Sequence, residues 1–570
     1  MKYIFGQVSI LKQLLIKKSM KTKLFFMYAF ASVLFAACNN DDAITNESGI
    51  VTDPNGEAYV ALSIKTPATT RALHDPNQEI GTADESKVTD LKLVFFSDAN
   101  PRVVTDVKDF TVGTDAEAGN PNQPTGTAGK AFKVAAGSKH VLVVANPVAA
   151  FAPAVGQSYD AVNAVLTGTV SDVIGANYND FMMSNAKGGL EPSDAAGADV
   201  TLTLYTTQAL AEANPCSINI DRVAAKVRVY ADKIKGMGTP SATGAYPATI
   251  SDAGWVLNVT NKKYYPCSER LATYFEGTAA GFRSPFDIYR IGSYRRDPNY
   301  DTQHDPGTDV TNYASDYNYY AGTTVPAVWN NPTDAQTNPE VEYCLENTQT
   351  AAYNMVAYTT QVLFKAVITP NGLKNYDGSP ATISTGDDWI TIGSSQFTYA
   401  SLLTYIKQEL TNKYTSANPS LYSTPLTDAL IAYLNGRSIT GAPTLDQPAT
   451  PDAAPATKAD GYVTTLDGLS TAIKTAGAGS VGSFNYYKGG VSYYRIMIKH
   501  DDTPTALNEL GEFGVVRNSV YDINITAINN PGYPTIPAPD PTIPDEDEEA
   551  WLSVQINVNP WTWYTQSEEL

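Results

Sequence analysis

The last strand-like stretch of the chain reads WLSVQINVNPW, from Trp551 to Trp561. Leu552, Val554, Ile556 and Val558 alternate with Ser553, Gln555, Asn557 and Asn559, the period-two pattern of a strand with one face buried and one wet. It lies beyond PGYPTIPAPDPTIPDEDEEA (531–550), where proline and acid crowd out apolar residues; that stretch reads as a semi-extended spacer unable to pack into a core. A strand placed there either closes its own domain from a distance or serves another chain.

The rest of the chain limits what such a strand can belong to. With 570 residues there is room for two or three domains, and 43% hydrophobic against 17% charged residues is the balance of a folded protein. The formal charge of −20 argues against nucleic acid, which requires a basic face. Tyr (35), Gly (40) and Pro (35) are abundant and long helical patterns scarce, which predicts a mainly β protein rich in turns.

From Met20 the chain reads MKTKLFFMYAFASVLFAACNN: basic residues Lys21 and Lys23, a short apolar run, then small residues before Cys38. This is the layout of a secretory signal, too short for a comfortable membrane span. Residues 1–37 are assigned to it, with Met20 an alternative start. Phe35-Ala36-Ala37 before Cys38 is similar to a bacterial lipobox, in which Cys38 becomes the lipidated first residue. Phe35 stands where Leu is usual, and a plain signal peptide cut near Ala37 is the alternative.

Strand patterns follow: TDLKLVFFSD (89–98), KHVLVVANP (139–147), VTLTLYT (200–206), VAAKVRVYA (223–231), GWVLNVTN (254–261), TQVLFKAVITP (360–370), VSYYRIMIKH (491–500) and NSVYDINITAI (518–528). The clearest helix is YASLLTYIKQELTNKY (399–414), with Leu402, Leu403, Ile406 and Leu410 on one face. A Gly- and Pro-rich stretch at 232–247 divides two units, 72–231 and 232–530, and the Tyr-, Asn- and Asp-dense region 270–340 reads as long loops or an insertion.

Catalytic and ligand motifs are weak. GAGSVG (477–482) fits GxGxxG but is followed by a strand-like sequence instead of a helix, so it reads as a glycine loop. DTQHDPGTD (301–309) has the density of a calcium loop, yet Pro306 stands where an EF-hand needs Gly. His74, His140, His304 and His500 show no ligand spacing, and Cys216, Cys267 and Cys344 form no CxxC pair. The cysteines read as buried thiols, one disulfide being the alternative. No metal, cofactor or enzymatic activity is expected.

DFMMSNA (180–186), INIDRVAAKVRVY (218–230), YCLENT (343–348), TTQVLFKAVITP (359–370), GVVRNSVYDINITAIN (514–529) and LSVQINVNPW (552–561), taken in order, resemble the fimbrillin family of Bacteroidetes, the major subunits of type V pili and especially the short-fimbria type. The resemblance covers the chain from about residue 58 to its end. It implies two transthyretin-like β-sandwich domains with a tethered C-terminal donor strand. Asp41 and Asp42, just after Cys38, are similar to the acidic tag of surface-directed lipoproteins in that phylum.

The family's assembly logic gives the terminal strand a purpose. A second strand pattern, AYVALSIK (58–65), places Val60, Leu62 and Ile64 on one face and is followed by the polar loop TPATTRALHD with Arg71. The resemblance implies an arginine-specific, trypsin-like protease cutting between Arg71 and Ala72. Loss of the lipidated propeptide 38–71 would leave a groove for the 551–570 segment of another copy, donated through the 531–550 linker. Lys65 is a competing basic site, although it ends the strand. The partners implied are further copies of the chain, accessory fimbrial subunits, the protease and, before cleavage, the outer membrane through lipid. Location at the fimbrium or cell surface follows. A tip or accessory subunit and a surface glycan-binding lipoprotein are the alternatives.

Overall fold

The computed structural model describes residues 56–65, 81–112, 130–185, 201–231, 247–267, 269–270, 294–332, 340–445, 454–501, 508–550 and 552–560. Strands dominate, as the composition predicts.

The front of the chain forms β1 (Glu57–Val60) and β2 (Leu62–Lys65), parted by Ala61. Next come β3 (Asp90–Phe96), β4 (Val104–Thr111), β5 (Phe132–Ala135), β6 (His140–Ala145), β7 (Met183–Ser184), β8 (Cys216–Asn219) and β9 (Asp221–Arg222). An antiparallel sheet runs in the order β9-β7-β6-β3-β4, while β1 pairs antiparallel with β5 and β2 pairs parallel with β8. Every residue of the β6 sequence HVLVVA is buried, so this strand shows a continuous apolar run instead of alternation. Leu91, Leu93, Val143 and Phe132 share one core with Val60, Leu62 and Ile64 of the front strands.

The second core lies between two sheets built from β10 (Ala224–Tyr230), β11 (Ala248–Asn258), β12 (Val341–Leu345), β13 (Gln361–Pro370) and three strands from further along the chain. Between β13 and those three strands the chain detours through a separate body: β14 (Trp389–Ile392), β15 (Ser395–Thr398), α1 (Tyr399–Thr415), α2 (Pro425–Gly436), α3 (Pro455–Gly468), α4 (Ser470–Ala476), β16 (Gly479–Val481) and β17 (Phe484–Tyr487). It then resumes as β18 (Val491–Met497), β19 (Ser519–Ile528) and β20 (Leu552–Pro560). One sheet runs β12-β10-β19-β20, with β10 and β19 parallel, and the other runs β11-β13-β18. Val227, Val229, Trp255, Phe364, Ile496, Tyr521 and Ile523 fill the space between them.

The detour carries its own core, Ile390, Phe397, Leu402, Ile406, Leu430, Tyr433, Leu466 and Phe484, under a sheet ordered β15-β14-β17-β16. The sequence shows α1 clearly; its N-cap Thr398 accepts a hydrogen bond from the Ser401 N–H at 3.0 Å. The other three helices are a difference from the sequence reading, which placed the insertion at 270–340. GAGSVG closes α4 with Gly477 at φ 83° and opens β16. Within 270–340, the described residues Tyr294, Tyr313 and Tyr317 are packed inside, exposed by at most 1%. Cys216, Cys267 and Cys344 form no disulfide.

Candidate functional site

The front strands sit in a slot with backbone partners on both sides. β1 pairs with β5 in the register Ala58↔Val134 and Val60↔Phe132. Tyr59 exchanges two backbone hydrogen bonds with Tyr205, at 2.7 and 2.8 Å. β2 pairs with β8 in the register Leu62↔Cys216 and Ile64↔Ile218, and the Cys216 N–H donates to the Ala61 carbonyl at 2.8 Å. Among the described residues β5 has no ladder partner but β1, and β8 none but β2. Removing this one segment therefore strips two strands of their pairing at once.

The inward side chains alternate without interruption. Ala58, Val60, Leu62 and Ile64 are exposed by 1%, 1%, 0% and 4%. The sequence pattern identified three of the four positions; the structure adds Ala58, whose methyl group is too small to mark a core position in a sequence. Ala61, between the strands, is buried in a small cluster with Ala131 and Ala211.

The segment after Lys65, with Arg71 and Ala72, lies outside the described residues, as does Cys38. Where the chain resumes, it is clamped. Gly81 lies so close to the Arg222 guanidinium that a Cβ there would come within 2.2 Å of it. Arg222 Nε donates to the Glu85 carbonyl and Nη2 to Ser86 Oγ, each at 2.8 Å. Glu85 accepts from Lys226 Nζ at 2.9 Å and from the Tyr343 hydroxyl at 2.6 Å. Burial alone would push the Glu85 carboxyl up, but Lys226, the Tyr343 hydroxyl and the Thr82 N–H together hold it below its ordinary value. This pair joins the segment behind the front strands to β10 and β12 of the second half.

At the other end β20 is an edge strand. It pairs antiparallel with β19 from Ser519↔Pro560 to Ile528↔Leu552, with a bulge between Ile525 and Ala527. Leu552 is buried at 4%, whereas Val554 and Ile556 are only partly buried against the second core. Val558 lies opposite Tyr521 in the ladder. In the isolated chain this strand thus closes its own sheet, held less deeply than the front strands.

The stretch before it does not behave as the free spacer that its composition predicts. Tyr533 forms a two-way backbone pair with Tyr493 of β18, both bonds 2.8 Å, and the Gly322 N–H donates to the Ile536 carbonyl at 2.7 Å. Further on, the Val356 N–H donates to the Ile543 carbonyl at 3.0 Å and the Asp545 N–H to the Asn354 carbonyl at 3.3 Å. Ile536 and Asp545 are exposed by 1% and 0%. Gly532 passes so near β18 that a Cβ would lie 2.3 Å from the Tyr493 carbonyl. The Asp545 carboxylate accepts from Thr359 Oγ1 at 2.5 Å, and burial raises its pKa well above the ordinary value. The acid that opens the DEDEE run is thus a core residue. Proline and acid mask this in the sequence because the contacts are made largely by backbone, with Tyr533, Ile536 and Ile543 the main apolar cues.

Two family models match the chain, one at each end. Residues 58–208 match the family described as "Major fimbrial subunit protein (FimA)", and residues 485–567 match "Major fimbrial subunit protein type IV, Fimbrillin, C-terminal". No curated protein matches. Among solved structures, a fimbrilin (FimA) from Porphyromonas gingivalis W83 is 15% identical, with 89% of this chain and 99% of that chain covered and a TM-score of 0.37. The tip fimbrial protein Mfa3 of Porphyromonas gingivalis, with a C-terminal truncation, is 11% identical, with 89% and 100% covered and a TM-score of 0.33. A fimbrial assembly protein from Parabacteroides distasonis ATCC 8503 is 12% identical, with 57% and 84% covered and a TM-score of 0.25. The first model begins at the buried Ala58 and the second takes in β18, β19, the docked stretch and β20. The two ends of the chain, residues 58–208 and 485–567, are thus similar to major fimbrial subunit proteins.

Proposed function

We propose that this subunit is exported as an outer-membrane lipoprotein precursor lipidated at Cys38, cut between Arg71 and Ala72 at the cell surface by a trypsin-like, arginine-specific protease, and polymerised head to tail into an adhesive fimbrial stalk. The units 72–231 and 232–530 act as two transthyretin-like β-sandwiches. Cleavage releases the propeptide with β1 and β2, and β20 of a neighbouring copy takes their place. Insertion of one copy into the next is heterologous and need not close on itself, so it grows filaments.

What carries this reading is the match between the two ends. Among the described residues β5 and β8 find ladder partners only in the front segment, which fills its slot with Ala58, Val60, Leu62 and Ile64. Leu552, Val554, Ile556 and Val558 offer four apolar side chains at the same period. The donor set is larger by two carbon groups, which favours the exchange by about 1.6 kcal/mol at ~0.8 kcal/mol each. Four buried side chains together contribute on the order of 6 kcal/mol or more, set against an association cost of roughly 4–15 kcal/mol, with ladder hydrogen bonds adding about 0.5–1.5 kcal/mol each.

The test is the N-terminus of the protein sheared from intact cells, measured on whole chains by mass spectrometry. A lipid-free chain beginning at Ala72, in high-mass ladders that survive mild SDS, is the expected result. A monomeric lipidated chain beginning at Cys38 would overturn the stalk reading and point instead to an anchor or a surface glycan-binding lipoprotein. Cleaved chains that cap filament ends without forming ladders would identify a tip or accessory subunit.

A further inference from the structure

The 22 residues between β19 and Trp551 fall into two parts of very different attachment. From Gly532 to Asp545 the chain is bound to the body by backbone pairs at Tyr493, Gly322, Val356 and Asn354. Arg495 lies 5.3 Å from the Tyr533 ring centroid and donates to the Ala538 carbonyl at 3.3 Å, and the Tyr487 hydroxyl donates to the Gly532 carbonyl at 2.9 Å. After Asp545 the chain makes a 3-10 turn, Asp545–Ala550, before β20; within it the Glu546 carboxylate accepts from the Asn508 N–H at 2.9 Å. Among the described residues β20 has one ladder neighbour, β19, and Val554 and Ile556 are partly open.

We propose that strand donation pivots at the turn Asp545–Ala550: residues up to Asp545 stay docked on their own subunit, and only the segment beyond it swings out to a second copy of the chain. The inference rests on the reading of β20 as the donor strand and deepens it. A chain that opens does so where the fewest backbone partners are lost, and that point is downstream of Asp545, not at the start of the proline-rich stretch. The tether is therefore short. Seven residue steps separate Asp545 from Leu552, so at ~3.3–3.6 Å per step the acceptor slot of the next copy begins within about 25 Å of Asp545. A spacer freed from residue 531 would reach roughly three times as far. Neighbouring copies are consequently held close, with the second half of one against the front half of the next.

Two disulfide staples separate the possibilities in the full-length precursor cleaved with a trypsin-like protease. Met355 and Pro544 are bridge partners flanked by the 356–543 and 354–545 hydrogen bonds, the close antiparallel spacing that suits a disulfide. The M355C/P544C pair locks the docked part; N524C/Q555C, a ladder pair with Gln555 exposed, locks β20. Polymer ladders are scored on SDS gels under oxidising conditions and again after reduction. The first staple should polymerise within about twofold of the unstapled protein, and the second should lose polymerisation tenfold or more until reduced. A 355–544 staple that blocks ladders reversibly would overturn the pivot while leaving β20 as donor. A 524–555 staple that forms fully yet leaves ladders unchanged would overturn the donor reading itself, and the pivot with it.

Discussion

Leu62 and Cys216 are direct partners in the parallel ladder that holds the front of the chain to β8. Leu62 is fully buried, the Cys216 thiol is half-buried, and burial raises that thiol's pKa. The same cysteine therefore reports on whether the slot is filled. Reaction of Cys216 with a maleimide should be slow in the precursor, at least tenfold faster in chains cleaved and kept dilute, and slow again in the polymer. Cys267 and Cys344, buried elsewhere, serve as controls. Equal rates in all three states would contradict a slot that empties and refills.

Leu62→Ala should destabilise the precursor by about 2–5 kcal/mol, the usual result of truncating a buried leucine, lowering its melting temperature. The same substitution should leave the finished polymer unchanged, because the proposed cleavage discards the substituted strand. Thermal melts of both forms check this; a polymer weakened as much as the precursor would mean that the front strand is retained.

Gly532→Ala should loosen the docked stretch, since the added methyl would meet the Tyr493 carbonyl at 2.3 Å. A loss of roughly 1–3 kcal/mol in local stability is expected, read as faster amide exchange at Tyr533 while β3 and β6 keep their protection.

Glu342 gives the fold a dependence on pH. Its carboxylate accepts from the Leu257 N–H at 2.7 Å and from Asn330 Nδ2 at 2.6 Å, but burial outweighs both and raises its pKa to about 7. The folded chain thus holds a proton that the unfolded chain, titrating near 4.5, has lost. The associated stabilisation is full below the unfolded value and disappears as pH rises through about 7. Denaturant melts should show the wild type losing about 1–3 kcal/mol between pH 5 and 8 relative to Glu342→Gln; parallel curves would refute the assignment.

Local pattern carried much of this fold. Strict alternation marked β20 and the front segment, and Leu402, Leu403, Ile406 and Leu410 marked α1. α3, PATKADGYVTTLDG, was illegible because two glycines and its many polar residues leave only Ala459 and Leu466 as buried contacts, so nothing in its own periodicity announces a helix. α2 offers Leu430, Tyr433 and Leu434, a convincing face but a short one at 12 residues. Asp545 shows the opposite failure. Charge predicts a solvated residue, whereas its environment is set by Thr359, 186 positions away. Long-range partners of that kind leave no local trace.

The detour from Asn371 to Gly490 leaves and rejoins one sheet between strands already bonded to each other, Val367 opposite Val491. It interrupts neither the slot at β5 and β8 nor the path from β19 to β20. Trp389 and Tyr487, stacked at 4.1 Å, root it in the second core. The ladder on which it is mounted already fixes the register of its flanks. A body mounted in this way can vary in size and surface while β5, β8, β19 and β20 keep their pairing.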